Sequence, residues 1–346
     1  MRRSPPAPGL ACVLALVLLV GAPLAADAGS RRYCLGGVCE ESCVKDVCLY
    51  ISANESFGVV EAENRSTIPI GINIRFKQLV NVTPYPRPPV VAAVPPGKTR
   101  QIVKLTVRSP RAPYRFPFEW TFTYGDPRAK HHPSARYRLP FGGREDRVLT
   151  QGQNGRFTHN GASAYSYDFG MPIGTPILAA RRGRVVEVHD GYTKSGVSPE
   201  FLDKANAITI LHADGTFATY AHLDPGAGVR SGMLVNVGEV IGRSGDTGFS
   251  TGPHLHFSVW KATPTGARTL PIRFYSPRAR AGFVPEEGVS YPPTCHAEGR
   301  PCPPGAMPAR PASWGPPPLQ KHQDGTCRCK NGAIITTDLP CRMVCP

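Results

Sequence analysis

The sequence predicts an all-β protein. Short runs rich in β-branched and aromatic residues recur along it, prolines and Pro-Gly or Asp-Gly turns separate them, and no long helical periodicity interrupts the runs between residues 150 and 275. In the first region IPIGINIRF (68–76), VVAAV (90–94), RQIVKLTV (100–107) and FPFEWTFTY (116–124) have the spacing of a small β-sandwich. In the second, GTPILAARRGRVVEVHDG reads as two strands turning at Arg-Gly, and GMLVNVGEVIGRSG as another short pair. Between them, ANAITILHADGTFATYAHL reads as a hairpin turning at Asp214-Gly215.

Cysteine and proline usage divide the rest of the 346 residues. Residues 1–28 read as a signal peptide: Arg2 and Arg3 precede the apolar run Leu10–Val20, and small residues suited to cleavage lead to Ala28. The run is shorter than the roughly 20 residues that cross a bilayer, so no membrane-spanning segment is expected after its removal. Cys12 lies near the start of the run, not just after it, which argues against a lipoprotein processing site. Residues 29–57 form a cysteine-rich segment with Cys34, Cys39, Cys43 and Cys48, residues 58–149 the sandwich-like domain, and residues 150–275 the second β-rich domain. Residues 276–346 combine a Pro-rich linker with a tail holding Cys295, Cys302, Cys327, Cys329, Cys341 and Cys345. Even-numbered clusters in an exported chain read as disulfides, and the tail is too short for a core without them. The expected location is periplasmic or secreted.

The net charge of +15 is unevenly placed. Residues 28–149 carry 19 basic and 10 acidic side chains, whereas residues 150–275 carry 11 and 9. A basic amino-terminal half suits an anionic partner such as a cell-wall polymer. No nucleic-acid motif accompanies the charge, and export excludes that partner. The sequence sets no oligomeric state.

The chemistry lies in the second domain. In HLHFSVW (254–260) the period-two alternation of a strand puts Leu255, Phe257 and Val259 on one face and His254, His256 and Ser258 on the other, so both imidazoles look into one space. In FATYAHL (217–223) Tyr220 and His222 share a face and Leu223 points away. His159 and Asp168 flank a small-residue segment that can turn back on itself. His159, Asp168 and one histidine of the HxH pair make a mixed imidazole and carboxylate set suited to a catalytic zinc with one position left for water, the other histidines being placed to move protons. Gly245, Gly248 and Gly252 fit a tight loop entering the HxH strand. His131 and His132 are adjacent and point to opposite strand faces, a poor chelate. His189 and His212 read as solvent-facing residues beside turns, and His296 and His322 fall in the cysteine-rich tail.

Residues from about Gln151 to Trp260 resemble the LytM/lysostaphin-type zinc metalloendopeptidases, which cleave peptide bonds in bacterial peptidoglycan. The matching pieces are His159 with Asp168, DFGMPIGTPI followed by AARRGRVV, the YAHL block, and GEVIGRSGDTGFSTGPHLHF, in that order. The resemblance implies the β-rich, duplicated-hybrid-motif-like fold of that family for residues 150–275. It implies one Zn2+ per chain held by His159, Asp168 and His256, catalysis by His222 and His254, and peptidoglycan stem or cross-bridge peptides as partners. One departure is in the sequence: many members have three residues between the first histidine and the aspartate, and eight separate them here. The same resemblance also covers non-catalytic modules that bind peptidoglycan or regulate another hydrolase; all five positions being filled favours the enzyme. A secreted zinc protease of non-wall proteins would share the same five residues.

Overall fold

The computed structural model describes residues 38–276, 279–294, 326–328 and 334–336. The expected signal peptide, Cys34, the Pro-rich linker, His296, His322 and the bonding of the tail cysteines lie outside the described residues. Among the described residues regular structure is strand, with two 3-10 turns at Gly161–Ser163 and Pro199–Phe201 and no α-helix. No helix there is long and apolar enough to cross a membrane.

The first eight strands are β1 (Val38–Val44), β2 (Val47–Ala53), β3 (Phe57–Asn64), β4 (Ile70–Phe76), β5 (Val82–Tyr85), β6 (Val90–Val94), β7 (Lys98–Val107) and β8 (Phe118–Tyr124). They form a five-stranded sheet, β1-β2-β3-β7-β5, and a three-stranded sheet, β6-β4-β8, which share one core that includes Leu49, Val60, Ile72, Ile74, Val103 and Trp120. Alternation decides which residues enter it: along β3, Val60 and Ala62 are buried while Glu61 and Glu63 are only partly covered. Asn64, wholly buried at the end of β3, donates from its amide to Ile68 O and Val94 O and so ties the two sheets at one edge. Cys43 and Cys48, opposed across β1 and β2, are disulfide-bonded.

The later strands are β9 (Arg147–Gln151), β10 (Ser166–Gly170), β11 (Pro176–Leu178), β12 (Gly183–His189), β13 (Ser195–Gly196), β14 (Ala207–Leu211), β15 (Phe217–Ala221), β16 (Leu234–Val235), β17 (Val240–Arg243), β18 (Gly248–Phe249), β19 (His254–Thr263), β20 (Gly266–Thr269), β21 (Phe274–Ser276), β22 (Ala279–Phe283) and β23 (Ser290–Tyr291). One sheet runs β16-β12-β14-β15-β19-β10-β9-β23, with β20 paired to β19. The long central β19 joins two halves: β15 lies on one side of it and β10 on the other. Its buried face, Leu255, Phe257 and Val259, packs with Tyr167, Phe169, Tyr220 and Phe274.

Two of the three strand pairs read from the sequence are rearranged. β11 and β12 do not pair with each other across Arg-Gly, nor do β16 and β17; instead β11 pairs with β17 and β12 with β16. Each segment splits between two sheets, because the apolar residues of β11 and β17 cover the core that β12 and β16 border from the main sheet. The 207–221 hairpin does form, turning through Gly215 at φ +79°.

Residues 126–137 run from the end of β8 over the β14–β15 turn. Asp214 accepts from Arg181 (2.8 Å), from the His132 backbone N–H (3.0 Å) and from Thr216 Oγ1 (2.7 Å), and Arg181 also donates to Tyr137 OH (3.0 Å). His212 is part of this layer and not solvent-facing: it is 2 % exposed, its Nδ1–H donates to Arg182 O (2.9 Å), and the Tyr137 ring meets it edge-on. The chain that covers it comes from more than 70 residues away, out of reach of a local reading. His189 does stay half-exposed, paired with Glu187 at 2.9 Å.

Candidate active site

The site is laid out by the register of three strands. On β10 and β19, Asp168 lies directly opposite His256 and Tyr167 opposite Phe257, so one face carries carboxylate and imidazole while the other carries core aromatics. On the far side of β19, Ala221 of β15 opposes His256. A small residue there leaves the space above it to the side chain that follows, His222.

His222 reaches that space by a break in alternation. Tyr220 faces the core against Phe257, and its hydroxyl accepts the Ala180 N–H (2.8 Å). Continued β geometry would turn His222 into the core as well. Its backbone instead adopts φ +62°, a left-handed conformation uncommon for non-glycine residues, which turns the ring out toward His254 and His256 and lets Leu223 drop into the core. The expectation that Tyr220 and His222 share a face, with Leu223 opposite, is therefore corrected.

Three donor atoms converge. His159 Nε2 is 3.2 Å from Asp168 Oδ2, and His256 Nδ1 is 2.8 Å from Asp168 Oδ1. The ligating atoms of the three residues all lie within 4.8 Å of one another. His159 Nδ1 donates to Gly152 O at 2.7 Å, which fixes the tautomer and leaves Nε2 as the lone-pair nitrogen. That Nε2 is fully buried and, despite its nearness to Asp168, has no partner with hydrogen-bond geometry. Two lone-pair atoms held face to face in a buried place call for a cation between them, and two imidazole nitrogens plus a carboxylate oxygen suit Zn2+ with a fourth position open. The residues therefore fit the metal. The other cluster of donor side chains among the described residues, Glu41, Cys43 and Cys48, has its two sulfurs committed to the disulfide.

Electrostatics follow this geometry. Burial opposes ionisation of Asp168, but the His256 hydrogen bond and the nearness of the His159 and His256 imidazoles outweigh it and hold the carboxyl well below the usual range. Burial likewise disfavours a charged His159, and the facing Asp168 reverses the balance and raises its pKa. For His222 burial is reinforced by the neighbouring His254 and His256, and its pKa is pushed down to about 4.

The remaining two histidines are each anchored through Nδ1: His222 to Thr247 O (2.7 Å), and His254 to Gly252 O (2.8 Å) with Ser250 Oγ at 3.3 Å. Each keeps Nε2 for other work. Their ring centroids are 4.5 Å apart, and His254 Nε2 lies 4.0 Å from Asp168 Oδ1. The five residues named from the sequence are thus brought together. Gln151 was not anticipated: its amide donates to Asp168 Oδ2 (3.0 Å) and Thr158 Oγ1 (2.8 Å), and its oxygen accepts the Phe157 N–H (3.1 Å), binding the His159 loop to the carboxylate. A glutamine ending the strand RVLTQ carries no signal of that role in sequence.

The profile of peptidase family M23 matches residues 162–268, which include Asp168, His222, His254 and His256 but not His159. Over 99 residues the chain is 40 % identical to the glycyl-glycine endopeptidase ALE-1 of Staphylococcus capitis, covering 28 % of this chain and 25 % of that protein. Over 101 residues it is 37 % identical to the peptidoglycan DD-endopeptidase ShyA of Vibrio cholerae, covering 29 % and 20 %. The chain thus matches a quarter or less of the length of these curated relatives. Among solved structures, the catalytic domain of lysostaphin from Staphylococcus simulans is 29 % identical with a TM-score of 0.25, covering 38 % of this chain and 88 % of that one.

Proposed function

Starting from residues 162–268 as a domain of peptidase family M23, of the LytM/lysostaphin type, we propose that the chain is an exported zinc-dependent endopeptidase that hydrolyses stem or cross-bridge peptides of peptidoglycan. The observation that carries this reading is the meeting of His159 Nε2, Asp168 and His256 Nδ1 beside a second pair of histidines that hydrogen-bond only to backbone carbonyls and Ser250. His159, Asp168 and His256 would hold one Zn2+, which when bound would lower the pKa of water toward neutrality and polarise the scissile carbonyl. His222, kept neutral by burial with Nδ1–H given to Thr247 O, offers Nε2 as proton acceptor. His254, anchored through Nδ1 to Gly252 O with its Nε2 4.0 Å from Asp168 Oδ1, returns a proton to the leaving amine.

Residues 150–275 form the peptidase domain in this reading, and residues 58–149 an accessory domain. The accessory domain holds the enzyme to an anionic wall polymer: between Glu63 and Glu119 the chain has ten basic residues and no acidic one. The protein acts in the periplasm or outside the cell.

The test is digestion of purified peptidoglycan by the mature protein, with mass spectrometry of the products with and without a chelator, alongside metal analysis. About one zinc per chain and chelator-sensitive peptide cleavage are expected. Zinc binding with no cleavage of either wall peptides or casein sinks the enzymatic reading and leaves a binding or regulatory module; cleavage of casein but not of the wall sinks the substrate assignment.

A further inference from the structure

The hydrogen bond that fixes the His159 tautomer is its Nδ1–H donation to Gly152 O. Within the His159 loop Gly152 O also accepts the Gly155 N–H (3.3 Å), while the Gly152 nitrogen is held from elsewhere. The Gly152 N–H donates to Glu287 Oε1 at 2.9 Å, so one peptide-bonded residue has an acceptor carboxylate on its nitrogen and the imidazole on its oxygen. Glu287 is delivered by the chain that returns after β22: Gly288 N–H donates to Leu149 O (2.9 Å), Leu149 N–H to Val289 O (3.0 Å), and β23 then pairs with β9 through Ser290 and Tyr291. The approach is close, since a Cβ at residue 152 would meet Leu149 Cδ2 at 3.2 Å and Glu287 Cγ at 3.4 Å. This return segment lies past residue 268, where the family match ends, and past residue 275.

We propose that Glu287 is a positioning residue for the metal ligand His159, acting through Gly152. The carboxylate draws on the Gly152 N–H and holds the loop residue in place, and the Gly152 carbonyl in turn holds the proton on His159 Nδ1, so that Nε2 presents its lone pair to Asp168 and the metal. Ligating histidines commonly have the opposite nitrogen fixed by a carboxylate or a carbonyl, and loss of such a partner typically weakens metal binding about 10-fold or more. Here the two kinds of partner stand in series. The inference rests on His159 being a ligand.

The experiment measures Zn2+ affinity of the full mature chain by competition with a chromophoric chelator, for wild type, Glu287→Ala, Glu287→Gln and His159→Ala. The melting temperature of each metal-free protein, and its His159 imidazole 15N shifts, are recorded alongside. Glu287 is exposed and its removal leaves no cavity, so the metal-free variants are expected to melt with the wild type. Glu287→Ala is expected to bind Zn2+ about 10-fold more weakly, with 15N shifts moving from the Nδ1–H tautomer toward a mixture. Glu287→Gln, whose amide oxygen accepts the same N–H, is expected to recover most of the affinity. If His159→Ala binds zinc as wild type does, the ligand reading falls and takes the inference with it. If His159→Ala loses zinc while Glu287→Ala stays within twofold of wild type, the inference alone falls. It falls also if Glu287→Ala weakens zinc only in step with a lower metal-free melting temperature and Gln restores neither.

Discussion

Gly245 is the residue that connects His222 with His254: its N–H donates to His222 O at 3.0 Å, and it forms an antiparallel bridge with His254. One of these histidines is aimed by ordinary strand alternation and the other by a left-handed backbone, and Gly245 holds both at once. A Cβ on it would sit 2.5 Å from Asp224 N and 2.6 Å from Leu223 C, backbone that a rotamer change cannot clear.

Gly245→Ala should therefore move the 222–224 backbone. We expect a stability loss of about 1–3 kcal/mol by urea titration and at least a tenfold loss of peptidase activity, with zinc content unchanged. Unaltered activity would show that the two rings do not depend on this contact.

His222 separates function from strain. At φ +62° glycine fits without cost, whereas a β-branched side chain is penalised by about 1–2 kcal/mol. His222→Gly should abolish activity and stay within about 1 kcal/mol of wild type, whereas His222→Val should lose activity and stability together. Equal unfolding midpoints for the two variants would remove the strain argument.

The HxH pair should divide by role. His256→Ala is expected to lose zinc and activity; His254→Ala should keep zinc and lose activity by a factor of about 10² or more. Metal analysis beside a turnover assay reads both, and equal zinc loss in the two variants would mean the pair is wrongly assigned.

His212 gives a pH dependence away from the site. Burial pushes its pKa down to about 4 from an ordinary 6.5, so between these values the unfolded chain binds the proton that the native ring refuses. Stability from this group rises with pH from about 4 to 6.5 and is level above, a change on the order of 3 kcal/mol. His212→Asn should flatten the dependence of the unfolding free energy between pH 5 and 7 relative to wild type. Parallel pH profiles would sink the idea.

What was legible in the sequence is what local chemistry encodes. The alternation of HLHFSVW places Leu255, Phe257 and Val259 in the core and both imidazoles on the other face, His256 opposite Asp168 and His254 opposite Gly170, because a pleat leaves no other choice once one face is buried. The Asp214-Gly215 turn fixes the 207–221 hairpin for a similar reason. The pairings β11–β17 and β12–β16 were not legible, since they join segments 50 to 67 residues apart and neither partner names the other. The direction of His222 was missed because a single left-handed residue reverses the face on which everything after it falls. Gln151 and Glu287 reach Asp168 and Gly152 through contacts that have no spacing rule.

β19 sits between β15 and β10, and β10 carries β9 and β23 with it. The strands that flank His159 and Asp168 therefore make no strand pairing with those that lead to His222 until residues 254–263 insert between them. During synthesis the earlier segments can collapse, but the donor set cannot close, and their side chains have no third ligand to offer. Long-range pairing of this kind is slow and is completed late. The order of strands thus delays closure of the His159, Asp168 and His256 donor set until residues 254–263 have emerged. A chain interrupted before β19 would hold His159 and Asp168 without the strand that brings His256 opposite Asp168.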